Sequence, residues 1–284
     1  MKLNRLVLTG AAGRLGSYLR EPLTKLADTL VSSDIVDDIG ATYPGEEYVR
    51  ADLASLDDML ALLEGADMVV HFGAIGDEAP FEELLGPNFV GAYNVWEAAH
   101  RRGVRRVVYA SSIHAVGMHS KHDFIGTDAA HRPDTYYGLA KCFAEDLASM
   151  YWDKRGIEAV CLRIASCAQV NNARALGTWL SYDDLIRLVA RAIDTPTVRF
   201  TVVYGVSAND RAGLDNSGAS HLGYRPKDNA EVYAEGVLAD TPALDPTDPA
   251  HMYHGGPFAA VELGSSGLAT MNVIDDRKSV DDAD

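Results

Sequence analysis

"RLVLTGAAGRLGSYLREPLTKLADTLVSSD" runs from Arg5 to Asp34 and decides the fold. It opens on a short β-branched and leucine run, Arg5–Thr9, and breaks at a glycine-rich turn, Gly10–Gly16. It then continues at helical spacing and closes on a second strand-like run, Thr29–Asp34. Strand, tight turn, helix and strand make a βαβ unit. In the pattern Gly10-x-x-Gly13-x-x-Gly16, glycine lets backbone N–H groups approach a pyrophosphate, which then sits on the helix N-terminus. The spacing alone is a weak signal; its place between a strand and a helix strengthens it. Asp34 ends the second strand, where an acidic side chain binds adenosine ribose hydroxyls and repels a 2′-phosphate. Arg14 could face such a phosphate, but Asp34 argues the other way. The expected cofactor is therefore NAD rather than NADP, held by Gly10, Gly13, Arg14, Leu15, Gly16 and Asp34.

Outward from this unit the alternation continues. Glu47–Asp52 reads as a third strand, with Asp52 and Leu53 placed to flank the adenine. Asp67–Ala74 reads as a fourth, whose Gly73 and Ala74 can let the cofactor backbone pass. An amphipathic helix over Asn88–Gly103, a fifth strand over Arg105–Ser112, a helix from Tyr136 to about Arg155 and a strand over Glu158–Ile164 follow. Continuous apolar strands between helices predict an α/β, Rossmann-like, doubly wound parallel sheet covered on both faces. The second half is less regular. A helix over Tyr182–Asp194, a strand over Val198–Ser207 and a turn leading into a helix over His221–Val237 suggest a small C-terminal substrate-binding part. One domain is expected over 1–258, its cofactor part about 1–165 and its substrate part mostly 166–258, with 259–284 a mobile tail.

Composition narrows the function. The chain has 284 residues, 47% of them hydrophobic, enough for a sizeable core. No apolar run approaches the ~20 residues of a membrane span, and "MKLNRLVLTG" enters a strand without a leader-like segment, so a cytoplasmic protein is expected. A net charge of −16 argues against nucleic acid and anionic membranes as partners. It reads as a solvated surface, or as adaptation to high salt, since Lys is scarce beside Arg. Cys142, Cys161 and Cys167 have no metal-ligand spacing and read as reduced thiols; no metal is expected.

In "DTYYGLAKCFAEDLA" (Asp134–Ala148) two tyrosines precede a lysine. Tyr137 lies four residues before Lys141 and shares its helix face; Tyr136 points to the side. Tyr137 is thus the candidate base, its phenol pKa expected to be lowered by the Lys141 ammonium. Lys141 can also hold the nicotinamide ribose. Ser112, at the end of the fifth strand, stands at the carboxyl edge where ligands of such sheets bind and can orient the substrate hydroxyl.

These residues together resemble the extended short-chain dehydrogenase/reductase family over about residues 3–258. Within it the likeness is greatest to NAD-dependent uronate dehydrogenases. "TGAAGRLG", "SSIHAVG" (Ser111–Gly117), "YGLAKCFAEDLA" (Tyr137–Ala148), "RIASC" (Arg163–Cys167), "NNARALGTWLSYDDL" (Asn171–Leu185), "VYGVSANDRAGLDN" (Val203–Asn216), "LGYRPKD" and "HGGPF" (His254–Phe258) carry it. The resemblance implies oxidation of an aldohexuronic acid, glucuronate or galacturonate, at C1 to the aldarolactone, with NADH formed, in a homo-oligomer. It implies Tyr137 as proton acceptor with Lys141, Ser112 and His114 lining the sugar site, Ser166 beside nicotinamide and sugar, and Arg174 on the substrate carboxylate. A planar guanidinium suits that last role. Two positions depart from the pattern: Ile113 stands where relatives carry a polar amide, and Gly76 where they tend to have serine. Both are expected near the sugar, so the substrate could differ. The alternatives are C1 oxidation of another aldose or of a sugar phosphate such as glucose 6-phosphate, which Arg174 could also hold. A nucleotide-sugar epimerase or dehydratase, or a non-catalytic NAD(P) sensor, fits these motifs less well.

Overall fold

The computed structural model describes residues 2–239, 241, 243–271, 273 and 276–280. Seven parallel strands form the sheet: β1 Leu3–Thr9, β2 Ala27–Asp34, β3 Glu46–Arg50, β4 Met68–His71, β5 Arg106–Ser112, β7 Glu158–Ile164 and β8 Phe200–Gly205. They lie in the order β3-β2-β1-β4-β5-β7-β8, so the winding reverses between β1 and β4. A crevice opens above that reversal, at the carboxyl ends of the strands. A separate parallel pair, β6 Ile125–Gly126 with β9 Leu214–Asp215, stitches the two irregular segments together.

Both faces of the sheet are buried, which is why its strands read as unbroken apolar runs. One face packs under α1 (Arg14–Thr24) and α7 (Tyr182–Asp194), through Leu8, Leu19, Leu162 and Leu188. The other packs under α2 (Leu56–Leu62), α4 (Gly91–Arg102) and α5 (Tyr136–Arg155), through Val69, Trp96, Val107 and Ala144. Helix ends follow local chemistry. The Ser55, Thr135 and Ser181 hydroxyls each accept an N–H from the first turn of α2, α5 and α7. Gly103 and Gly156, at φ 71° and 70°, end α4 and α5 in the left-handed region.

The helix expected over Asn88–Gly103 begins differently. α3 (Phe81–Leu84) runs into a π-helical turn, Leu85–Val90, before α4. Pro87, inside that turn, has no N–H to donate, so the regular ladder cannot pass through it. The turn presents Asn88, whose side chain accepts from Ile75 N and donates to Ile75 O, both at 2.9 Å. The loop after β4 is clamped by this pair. In the second half, the turn leading into a helix expected over His221–Val237 is a 3₁₀ turn Ala230–Tyr233 that runs into a short helix Ala234–Ala239. α6 (Ala175–Thr178) is a single turn.

At the amino edge of the sheet, Arg106 is fully buried and paired with Glu158 on the neighbouring strand at 2.5 Å, with further donation to Ala192 O and Ile193 O. The guanidinium holds the Glu158 carboxyl below its ordinary range, against the opposing effect of burial. Such a carboxylate binds fewer protons folded than unfolded. Its stabilisation is complete above the unfolded value of about 4.5 and is lost as pH falls through the folded value. Glu158→Gln strands the Arg106 charge and is expected to cost about 3–5 kcal/mol. Urea unfolding at pH 7 checks this, and the gap to the wild type should narrow at pH 3.

Candidate active site

The Gly-rich turn is built by close backbone approach. A Cβ on Gly16 would fall 1.9 Å from Gly10 O, and one on Gly10, at φ +75°, 2.5 Å from Gly73 N. α1 starts at Gly13 without a side-chain cap and without an acidic residue in its first turn. Its first N–H groups therefore face the crevice, a ready seat for a pyrophosphate. Asp34 stands at the end of β2 and accepts from Ala12 N at 2.9 Å. Arg14 leans the other way: its Nη1 donates to Cys167 O, beyond β7, at 2.5 Å and to the Tyr182 hydroxyl at 3.2 Å. β2 and β7 lie on opposite sides of β1. Arg14 is thus directed away from Asp34 and from any 2′-phosphate there.

A cavity of about 380 Å³ continues from this turn, lined by Gly10, Gly13, Arg14, Leu15, Gly16, Ala74, Gly76, Ser112, His114, Tyr137, Lys141, Ser166 and Arg174. Asp52, Leu53 and Gly73 lie outside that lining. Asp52 is spent in a turn, accepting from Ala54 N, while Leu53 packs against the Gly73 and Gly91 backbones. Ile113 is a correction. It is fully buried in an apolar cluster with Val116, Ile125, Tyr204, Val206 and Leu214, away from the cavity. The 3₁₀ turn Ile113–Val116 explains this: with three residues per turn, Ile113 and Val116 share the inner face and His114 turns to the cavity. Gly76 does line the cavity, and a Cβ there would meet nothing within 4 Å.

Tyr137 and Lys141 share the inner face of α5, and Lys141 Nζ lies 5.2 Å from the Tyr137 ring centre. Tyr136 packs instead on Phe81, ring centres 5.7 Å apart. Lys141 Nζ donates to Ala110 O at 2.7 Å. Burial dominates the electrostatics. It pushes the Tyr137 phenol up to about 12, with the hydrogen bond to Ser112 opposing, and Lys141 down to about 7, with Glu145 opposing. The lowering of the phenol by Lys141 expected from sequence is not what the site shows: burial raises the phenol, and the hydrogen bond to Ser112 is what opposes it. Arg174 donates to Ser166 Oγ at 2.9 Å and to His254 O at 2.8 Å; burial brings it down to about 10, against the Asp134 charge.

Sequence reasoning missed several lining residues. Phe258 stacks on His114 at 4.0 Å between centres. Asp77 faces the cavity and accepts from Gly267 N and Leu268 N, both at 3.0 Å, while Glu78 accepts from Gly264 N and Tyr137 N. Leu268, Met271 and Val273 line the cavity too. Farther on, Tyr182 donates to the Asp276 carboxylate at 2.8 Å, and Lys278 bonds Ser17 and Glu21. The described part of 259–284, expected as a tail, thus crosses from the Asp77 loop to α1. Its acidic and Gly/Ser-rich composition carries no periodic signal for such contacts.

The sequence profile of the NAD dependent epimerase/dehydratase family matches residues 6–173. The uronate dehydrogenase of Pseudomonas putida is 48% identical over 258 residues, covering 90% of this chain and 96% of its own. A crystal structure of uronate dehydrogenase from Agrobacterium tumefaciens, a tyrosine mutant complexed with NAD, superposes with a TM-score of 0.87. It has 41% identity and covers 92% of this chain and 98% of its own. The NAD-dependent glucose-6-phosphate dehydrogenase of Haloferax volcanii is 33% identical, over 82% of this chain and 97% of its own.

The two tyrosines separate by their surroundings. Tyr137→Phe is expected to lower turnover by roughly 10²–10⁴-fold, since only the phenolic oxygen is lost. NAD binding, read by tryptophan fluorescence, should be kept. Tyr136→Phe should retain most activity. The reverse outcome would place the base on the Phe81 side of the helix.

Proposed function

The chain belongs to the NAD dependent epimerase/dehydratase family, and from that premise we propose that it oxidises an aldohexuronic acid at C1 to the aldarolactone with NAD. It is an NAD-dependent oxidoreductase acting on a CH–OH group. One observation carries the substrate reading: a single cavity joins the Gly-rich turn, the Ser112–Tyr137–Lys141 group and an inward Arg174 without a carboxylate partner among the described residues.

The residues fit the cofactor. Gly10, Gly13 and Gly16 clear the backbone, the α1 N-terminus takes the pyrophosphate, and Asp34 takes the adenosine ribose. Gly73 and Ala74, with Asp52 and Leu53 farther along the edge, complete the cofactor side; Lys141 and Ser166 flank the nicotinamide end. Bound NAD supplies the hydride acceptor and a positive charge near Tyr137. In our reading Ser112 and Tyr137 hold the C1 hydroxyl, and Tyr137 takes its proton. The raised phenol makes this base stronger but scarcer at neutral pH, so turnover should rise as pH rises toward the alkaline side. Arg174 pairs with the C6 carboxylate, far from the carbon that loses hydride. Gly76, His114 and Ser166 line the sugar between them.

We place the protein in the cytoplasm, where the buried free thiols Cys142, Cys161 and Cys167 stay reduced. Among the described residues no helix is long and apolar enough to cross a membrane. The domain runs over 1–258, its cofactor part to about 165, and the described part of 259–284 packs onto it and lines the cavity. Exposed Val90, Tyr93, Leu139, Phe143 and Met150 on and beside α4 and α5 would be covered in a homo-oligomer.

The test is NADH release over glucuronate, galacturonate, glucose and glucose 6-phosphate. Uronates should be turned over with NAD well ahead of NADP; turnover of glucose 6-phosphate alone would sink the reading. Arg174→Ala removes a charge-assisted pair worth ~2–4 kcal/mol, roughly a hundredfold in apparent uronate affinity. Any activity on neutral glucose should change little, and equal losses on both sugars would assign Arg174 to holding Ser166 and His254 in place.

A further inference from the structure

The Asp134 carboxylate is fully buried yet spends nothing on the backbone. It precedes α5, but the helix cap is the next residue: Thr135 Oγ1 accepts from Gly138 N at 3.0 Å. Asp134 takes only two hydrogen bonds among the described residues. Thr135 donates its hydroxyl to Oδ1 at 2.9 Å, and His114 Nδ1 meets Oδ2 at 2.7 Å. Room for this carboxylate is cleared from three separate parts of the chain. A Cβ on Gly117 would lie 2.0 Å from Oδ2, one on Gly255 1.9 Å from Oδ2, and one on Gly138 3.0 Å from Oδ1. The turn after β5, the first turn of α5 and the HGGPF stretch therefore all give way to it.

A buried carboxylate only accepts, so the His114 nitrogen facing it must carry the proton. The imidazole is also fixed in plane, stacked on Phe258 at 25° and meeting the Tyr137 ring at 64°. Its Nε2 has no hydrogen-bond partner among the described residues, and His114 lines the cavity. We propose that Asp134 is a positioning residue: it holds His114 as the Nδ1–H tautomer, so that Nε2 accepts a hydrogen bond from a ring hydroxyl of the bound sugar. This rests on the sugar-oxidising reading above and adds to it a residue that touches neither sugar nor cofactor. The carboxylate also faces Arg174 and Tyr137, whose charge states it influences. A substitution that keeps its size still removes that charge, so the His114 tautomer itself, read spectroscopically, is what isolates the effect on His114.

Asp134→Asn keeps the volume, but its amide N–H₂ can donate to Nδ1 and turn Nε2 into a donor. Long-range ¹H–¹⁵N spectra should show His114 protonated on Nδ1 in the wild type and on Nε2 in Asp134→Asn. KM for the uronate should rise roughly tenfold to a hundredfold, with the melting temperature and NAD affinity unchanged. His114→Ala should cause a similar loss, and the double variant no more than either alone. A wild-type His114 protonated on Nε2 overturns the proposal. So does wild-type KM in Asp134→Asn, or a fully multiplicative double variant. Loss of NAD affinity and thermal stability together would assign Asp134 to packing. A wild type inactive on every uronate would defeat the substrate reading, while the tautomer measurement would still decide the arrangement.

Discussion

Everything in this molecule hangs on the contact between Gly16 and the Gly10 carbonyl. No side chain fits there, since a Cβ would sit 1.9 Å from the oxygen. The contact lets α1 begin directly beneath the end of β1, so that uncapped N–H groups open onto the crevice where the winding reverses. Gly73, after β4, meets the same turn from the other side of the reversal. The two strands that flank the crevice are therefore locked at the point where a dinucleotide would cross. α5 then descends along β5 and β7, and its inner face delivers Tyr137 and Lys141 to the same edge.

The reacting side chains in this site are buried, and its electrostatics follow from that. Burial raises the Tyr137 phenol and lowers Lys141, so both are pushed toward the neutral state. A cation arriving beside Tyr137 changes the balance, because it favours the phenolate. The ionised base would thus be most available with the oxidised cofactor in place. Deeper still, the Glu145 carboxylate pairs with Arg163 at 2.8 Å and accepts from His131 at 2.9 Å and Ser111 at 2.5 Å. That network ties α5 to β5 and β7 directly behind Lys141 and Ser112. It keeps a carboxylate ionised next to the lysine without letting it reach the substrate.

The first two-thirds of this arrangement could be read from sequence because it is periodic. Strands buried on both faces, helices at regular spacing, a glycine turn and a Tyr–Lys pair one helical turn apart are all local patterns. Ile113 shows where locality fails. Its neighbours Ser112 and His114 line the cavity, but a 3₁₀ turn rotates the residue between them into the Tyr204 cluster. Nothing in "SSIH" announces the Tyr204 cluster that receives Ile113, because its members come from distant segments. Asp134 is illegible for another reason: an Asp before a helix is commonly a cap, and only the Thr135 cap and the glycines from distant segments show that this one is not. Arg14 needed the topology, since its direction is defined by which strand lies beside it.

The C-terminal segment has the least legible sequence and touches both ends of the site. Asp77 and Glu78, in the loop clamped by Asn88, receive its N–H groups from Gly264 to Leu268. Glu78 also accepts from Tyr137 N at 2.8 Å, so the same carboxylate that holds this segment holds the start of α5. At the other end Asp276 accepts from Tyr182 at 2.8 Å, and the Tyr182 ring stacks on Tyr18 of α1 at 3.6 Å. The described part of the segment is thus fixed on one side to the helix carrying the candidate base and on the other to the helix proposed to take the pyrophosphate. Leu268, Met271 and Val273 present apolar surface to the cavity between those anchors. Excluding water there strengthens each charged contact inside. The regular sheet therefore sets where the reacting groups stand, and the irregular chain around it sets how deeply they are buried.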